Sequence, residues 1–199
     1  MKKALITFFL VLIIDQVSKI WVKTQMLYDE SIAVFGDWFF IHFIENPGMA
    51  FGLEFGGDWG KLALSLFRIF AIVLIALFLL KLIRKKANSG LIISIALILA
   101  GAVGNIIDSA FYGLIFSESS YFEAATMFPA EGGYASFLHG KVVDMLYFPL
   151  FEGNFPEWMP IWGGEHFLFF RPIFNIADSA ISIGVFIILL NQKRFFKHL

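Results

Sequence analysis

Cysteine is absent from the 199 residues. Its absence excludes disulfides, thiolate metal sites, cysteine nucleophiles and cysteine-linked lipid anchors. Charge is scarce as well: Asp, Glu, Lys and Arg make up 16% of the chain against 59% apolar residues, where a soluble domain is about 25% charged. A water-soluble fold of this size could not hide so much Phe, Leu and Ile, so a membrane protein is the class that remains. Nor is there a basic excess. Fifteen Lys and Arg against sixteen Asp and Glu leave a net charge of −1, without the basic stripe that nucleic acid requires. Histidine is limited to His42, His139, His166 and His198, widely scattered, and nothing in their spacing suggests a metal or another cofactor.

Four apolar runs are present, at about 4–22, 62–83, 91–111 and 173–190. Each has about the 20 residues that a helix needs to cross ~30 Å of hydrocarbon. The first follows Lys2 and Lys3, as a signal peptide would. It lacks a small-x-small cleavage site, however, and is interrupted by Asp15, Gln16, Ser18 and Lys19, so it reads as a retained helix. Lys2 and Lys3, Lys81, Arg84, Lys85 and Lys86, and Lys193, Arg194 and Lys197 supply nine of the fifteen cations from three short segments. By the positive-inside rule both termini and the middle turn are cytoplasmic.

The connections at about 24–61 and 112–172 then face outward. Residues 31–46 are rich in β-branched and aromatic side chains around a Gly36-Asp37 break, which predicts a small β-sheet at the membrane surface. The second connection carries Gly132-Gly133, Pro149, Pro156, Pro160, Trp158 and Trp162 and suits a loop resting among headgroups. It is longer than a passive connector needs. The expected architecture is a single domain over residues 1–199. It is an all-α integral membrane protein with four transmembrane helices, plus a small extracytoplasmic β-cradle between helices 1 and 2.

Ionisable groups inside spans are costly and mark function by default. At ~1.5 Å per residue, Asp15 lies ~17 Å and Asp108 ~26 Å from the cytoplasmic ends of their spans, and Asp178 ~8 Å below the outer end of the fourth. Arg68 belongs to the same outer layer. Two packages repeat: Gly104-Asn105-Ile-Ile-Asp108-Ser-Ala and Phe174-Asn175-Ile-Ala-Asp178-Ser-Ala, each with Asn and Asp on one helix face. Asp144, within the apolar run 142–150, either ends a sheet or helix or folds back onto the Asp178 layer. Two carboxyls held close cannot both ionise cheaply. That is the arrangement an aspartic peptidase would use: one carboxyl keeps its proton, the other activates water, and no covalent intermediate is required. Internal symmetry alone pairs Asp108 with Asp178.

With these residues in place, the chain resembles the bacterial lipoprotein signal peptidase (signal peptidase II) family. The matching pieces are Asp15-Gln-Val-Ser-Lys19, Asn46-Pro-Gly-Met-Ala-Phe-Gly52, Phe67-Arg68, Gly104-Asn-Ile-Ile-Asp108, Val142-Val-Asp144 and Phe174-Asn-Ile-Ala-Asp178. They fall in the family's order and span essentially the whole chain. The resemblance implies an aspartic endopeptidase of the inner membrane that needs no cofactor. Its substrate would be a diacylglyceryl-modified prolipoprotein, cut before the lipidated cysteine, and globomycin-type peptides would inhibit it. Membrane lipids are its other partners. It also implies the catalytic pair Asp144 and Asp178, with Asp15, Lys19, Asn46, Gly48, Arg68, Asn105, Asp108 and Asn175 supporting the pair or touching substrate. One departure stands out. Ser109 occupies a position where the family usually has Arg, for which Lys141 or Arg171 would have to substitute, and residues 113–138 and 145–171 look longer than the family's loops. The rival class is a small proton-coupled transporter using the same carboxylates as a relay. The clustering of the acids toward one face and the lack of Gly/Pro-broken helix pairs speak against it.

Overall fold

The structure, a computed structural model, describes residues 1–47, 57–169 and 172–197. Its long elements follow the apolar runs. Helix α1 is Lys2–Gln25, α2 is Gly57–Arg84 and α3 is Ser89–Ile107. The last continues through a π-turn, Asp108–Tyr112, into a final turn α4, Gly113–Ile115. Among the described residues, three helices are long and apolar enough to cross a membrane: Lys2–Gln25, Trp59–Arg84 and Ser89–Ile115. The fourth apolar helix, α5 (Ile176–Leu190), has 15 residues and is followed by the short α6, Gln192–Phe196.

Large apolar side chains line the outside of α1 and α2: Phe9, Ile13 and Val17 on the first, Phe67, Phe70 and Leu77 on the second, all more than half exposed. That pattern suits lipid, because a helix in hydrocarbon gains nothing by hiding them. Helix α3 is the inner element, packed against α1, α2 and α5. Its close approach to α5 depends on Gly101, where a Cβ would stand 2.2 Å from the Ala177 carbonyl oxygen. One apolar cluster joins α2, α3 and Phe195 of α6 near the ends that carry the cationic turn and tail. Another, of Val22, Met26, Phe43, Tyr112, Phe116, Val143 and Met145, lies beneath the sheet.

The sheet corrects the expectation of a cradle confined to the stretch between the first two spans. Its order is β1-β2-β3-β6, all antiparallel. Strands β1 (Ser31–Phe35) and β2 (Phe39–Asn46) come from the first connection, whereas β3 (Val142–Tyr147) and β6 (Ile173–Phe174) come from the second. Strands β4 (Phe151–Asn154) and β5 (His166–Phe169) form a separate hairpin between them. The fourth apolar run is therefore not helical from its start: residues 173 and 174 pair with Tyr147 and Leu146, and the helix begins after Asn175. Nor does all of the second connection lie free among headgroups. Phe116 pairs with Met127, Ala125 N–H donates to the Lys23 carbonyl and Tyr28 N–H to that of Ser120, so residues 116–127 cover the end of α1.

Candidate active site

Strand register places the first two polar side chains. Ile41 pairs with Leu146, but the next pair is Ile44 with Asp144, so β2 carries one extra residue, a β-bulge of the kind that re-aims side chains near functional sites. Beyond it Ile44, Asn46 and Asp144 share a face, and Asn46 is the diagonal neighbour of Asp144. The Asn46 amide donates to Asp144 Oδ2 at 3.3 Å.

The β3–β6 ladder does the same for the other acid. Phe174 pairs with Leu146, which brings Asn175 alongside Asp144. Asn175 is extended (φ −121°, ψ −178°) and caps α5: its Oδ1 accepts from Asp178 N–H at 2.9 Å, and Asp178 Oδ2 accepts from Asn175 N–H at 3.4 Å. That is a reciprocal capping box. Asn-x-x-Asp at residues 175–178 is thus a helix start, and Asp178 sits in the first turn of α5, nearer the helix start than a count from residue 173 suggests.

The two asparagines then tie the acids together. Asn175 Nδ2 donates to Asp144 Oδ1 at 2.7 Å, and it also approaches Asn105 Oδ1 (3.1 Å) and the Val143 carbonyl (3.3 Å). Asn105 Nδ2 donates to Asp178 Oδ1 at 2.7 Å. Arg68, half-buried on α2, lies in the electrostatic field of Asp178, Asp144 and Asp108. Burial holds the Asp144 carboxyl well above the ordinary aspartate range, at about 7, with the Asp178 charge adding to the rise; hydrogen bonds from Asn46 and Asn175 and the Lys19 charge oppose it.

Asp108 and Asp15 belong to a neighbouring layer. Lys19 Nζ lies 3.0 Å from Asp15 and 2.8 Å from Asp108, all three side chains essentially without exposure, and it donates to Asn105 Oδ1 at 2.9 Å. Asp15 also accepts from Ala177 N–H at 2.8 Å, and Asp108 from Gln16 Nε2 (2.9 Å) and Val143 N–H (3.3 Å). Helices α1, α3 and α5 are therefore tied by their polar groups at one level. The internal echo does not bring Asp108 to Asp178, which is bridged instead to Asp144.

The substitution at Ser109 finds a local answer. Its hydroxyl donates to the Asn105 carbonyl at 3.2 Å, and the charge of Asp108 is met by Lys19. Lys141 does not substitute for an arginine there; it pairs with Glu45 and Glu118. Gly48 and Arg171 lie outside the described residues. Sequence reasoning passed over Gln16, and also Lys23 and Glu45, a buried ion pair. Lys23 follows Asp15 and Lys19 at four-residue intervals, a spacing that could have announced one polar stripe on α1.

Comparison with known proteins shows the family. A family model described as signal peptidase (SPase) II matches residues 7–194. A lipoprotein signal peptidase of Porphyromonas gingivalis is 56% identical over 186 residues, covering 93% of this chain and 80% of that protein. One of Amoebophilus asiaticus is 39% identical, covering 92% and 75%. A bacterial membrane enzyme solved by the in meso method at 2.3 Å superposes with a TM-score of 0.63 at 25% identity, over 100% of this chain and 93% of that one. The chain belongs to the signal peptidase II family of membrane proteases.

Proposed function

We propose that Asp144 and Asp178 are the catalytic pair of an aspartic endopeptidase that removes the signal peptide from diacylglyceryl-modified prolipoproteins. The observation that supports it is the bridge between the two acids: Asn175 donates its side-chain amide to buried Asp144 and its backbone N–H to Asp178, and burial raises the Asp144 carboxyl to about 7. Asp144 is the proton holder at rest. Asp178 accepts hydrogen bonds from Asn105 and from the Asn175 backbone at a helix N-terminus, which hold its carboxyl in place beside the water it would activate.

In the reaction Asp178 takes a proton from water, and the hydroxide formed attacks the carbonyl carbon before the lipidated cysteine. Asp144 gives its proton to the carbonyl oxygen. The tetrahedral intermediate collapses as the Asp178 proton passes to the leaving nitrogen, the C–N bond breaks and the proton on oxygen returns to Asp144. Arg68 moderates the charge of the pair, and Asn46 and Asn175 fix the angle at which Asp144 meets the substrate.

The topology follows the same reading. The chain is one peptidase domain over residues 1–199 in the bacterial inner membrane, with α5 and α6 as the fourth span, both termini cytoplasmic and the sheet at the outer face. Helix α5 alone rises about 22 Å, so α6 and the approach through β6 complete the crossing. Globomycin-type peptides would occupy the pair in place of substrate.

The test is mass spectrometry on a purified preparation given a lipid-modified precursor and its unlipidated counterpart. One cut before the modified cysteine, blocked by globomycin, is expected. The unlipidated form should turn over far more slowly, since each buried methylene of the lipid contributes ~0.8 kcal/mol. Equal turnover of the two, or no cut at all, contradicts the proposal.

A further inference from the structure

Another buried ion pair lies just beyond the catalytic layer. Lys23 of α1, with no exposed side-chain surface, is paired with Glu45 of β2, whose side chain is 2% exposed. Ser119 joins them: its Oγ accepts from Lys23 Nζ at 2.8 Å and donates to Glu45 Oε1 at 3.0 Å. Lys141, one residue before β3, stands 3.5 Å from Glu45 Oε2. Both ammonium groups lie over the Tyr134 ring, at 4.9 and 5.5 Å from its centroid. A cleft of about 460 Å³ opens onto Glu45, Ser119 and Lys141 and reaches Pro47.

We infer that Glu45 is a positioning residue, a clamp that sets the roll of β2 so that Asn46 stays on Asp144. Side chains alternate along a strand, and Glu45 therefore projects to the face opposite Asn46, the face shared with buried Phe43 and Val143. There it is gripped from three directions: by the end of α1, by the segment that carries Ser119, and by the residue that leads into β3. Charge-assisted bonds out of water hold their geometry more tightly than neutral ones. A strand fixed on one face presents its other face at a set angle. The enlarged second connection thus gains a task, since it brings Ser119, Tyr134 and Lys141 to the clamp. Because this role presupposes the Asp144–Asp178 pair, its test must separate the two.

The experiment is a double-mutant cycle on the full-length protein with a lipid-modified precursor peptide, comparing the parent with Glu45→Gln, Asn46→Ala and the double variant. Glu45→Gln should lower kcat about tenfold while KM stays within about twofold. Asn46→Ala should do likewise, and the double variant should be no slower than Asn46→Ala alone. A purely structural role would leave the effects independent, and they would multiply. Multiplication, an unchanged kcat in Glu45→Gln, or a loss appearing only in KM overturns the clamp. If Glu45→Gln fails to fold with Lys23 left unpaired, the cycle is run with Lys23→Met/Glu45→Gln in its place, since exchanging both partners spares the buried charge. Asp144→Asn is assayed alongside. Turnover by that variant overturns the catalytic pair, whereas an inactive Asp144→Asn with a multiplicative cycle overturns the clamp alone.

Discussion

Asn175 donates its side-chain amide to Asp144 at 2.7 Å, while its backbone N–H faces the carboxylate of Asp178. A helix cap and a contact with both acids of the proposed pair are one residue. Asn175→Ala should therefore lower stability by about 1 kcal/mol through the lost cap. Its effect on kcat should be far larger than that loss explains, and turnover measured beside a thermal unfolding curve separates the two.

The position of Asp144 gives a pH dependence. In the proposed reaction Asp144 gives a proton and must hold one, so kcat should fall as pH rises through about 7. The groups facing it are Asp178, which raises its pKa, and Lys19, Asn46 and Asn175, which lower it, with Arg68 in the same field. Asn46→Ala removes one lowering contact, so the alkaline limb should move to higher pH. A kcat–pH profile that moves downward or not at all would contradict this.

Stability should follow the same group with a defined sign. The folded state holds the Asp144 proton more tightly than the unfolded chain does, from 3.8 up to about 7. Its contribution is fully present below about pH 4 and is lost as pH climbs through 7. Asp144→Asn cannot ionise, and its Oδ1 can still accept from Asn175. That variant should unfold at a higher temperature than the parent at pH 8, with the gap closing toward pH 4, as read by tryptophan fluorescence.

Lys19 neutralises two buried carboxylates. Lys19→Met should destabilise by about 3–5 kcal/mol, since it leaves uncompensated charge inside. Asp108→Asn keeps the shape of that layer but gives up one of the two acceptor oxygens that meet Gln16, Val143 and Lys19, so it should lower stability and retain turnover in whatever fraction folds. A folded but inactive Asp108→Asn would move Asp108 into the chemistry.

Gly101 tests whether α5 must sit where it does. Its missing Cβ leaves room for the Ala177 carbonyl, and Ala177 lies between Asn175 and Asp178. Gly101→Ala should cost about 1–3 kcal/mol by overpacking and depress kcat as well, measured as turnover per folded molecule.

The long spans were legible because unbroken apolar runs leave few alternatives, and the β1–β2 strands because their composition and turn are local. The residues of the polar layer were legible too, since a carboxylate in an apolar helix has few reasons to be there. What escaped was pairing at a distance. Nothing near Val142 or Ile173 says that they join a sheet begun a hundred residues earlier, and β6 hid because Ile173 and Phe174 continue the hydrophobic pattern of the helix after them. Asn175 and Asp178 carried the signal that could have corrected this. Asn-x-x-Asp ahead of an apolar run is a capping pattern, and it places the boundary at residue 175. The Lys23–Glu45 pair escaped for the first reason, its partners lying on a helix and a strand with a loop between them.

The most direct test is the turnover of a lipid-modified precursor by Asp144→Asn and Asp178→Asn, each shown by thermal unfolding to be folded. Both should lose at least about a thousandfold in kcat. Near-parental cleavage by either folded variant would mean that the two carboxyls do not share the work of activating water and protonating the peptide.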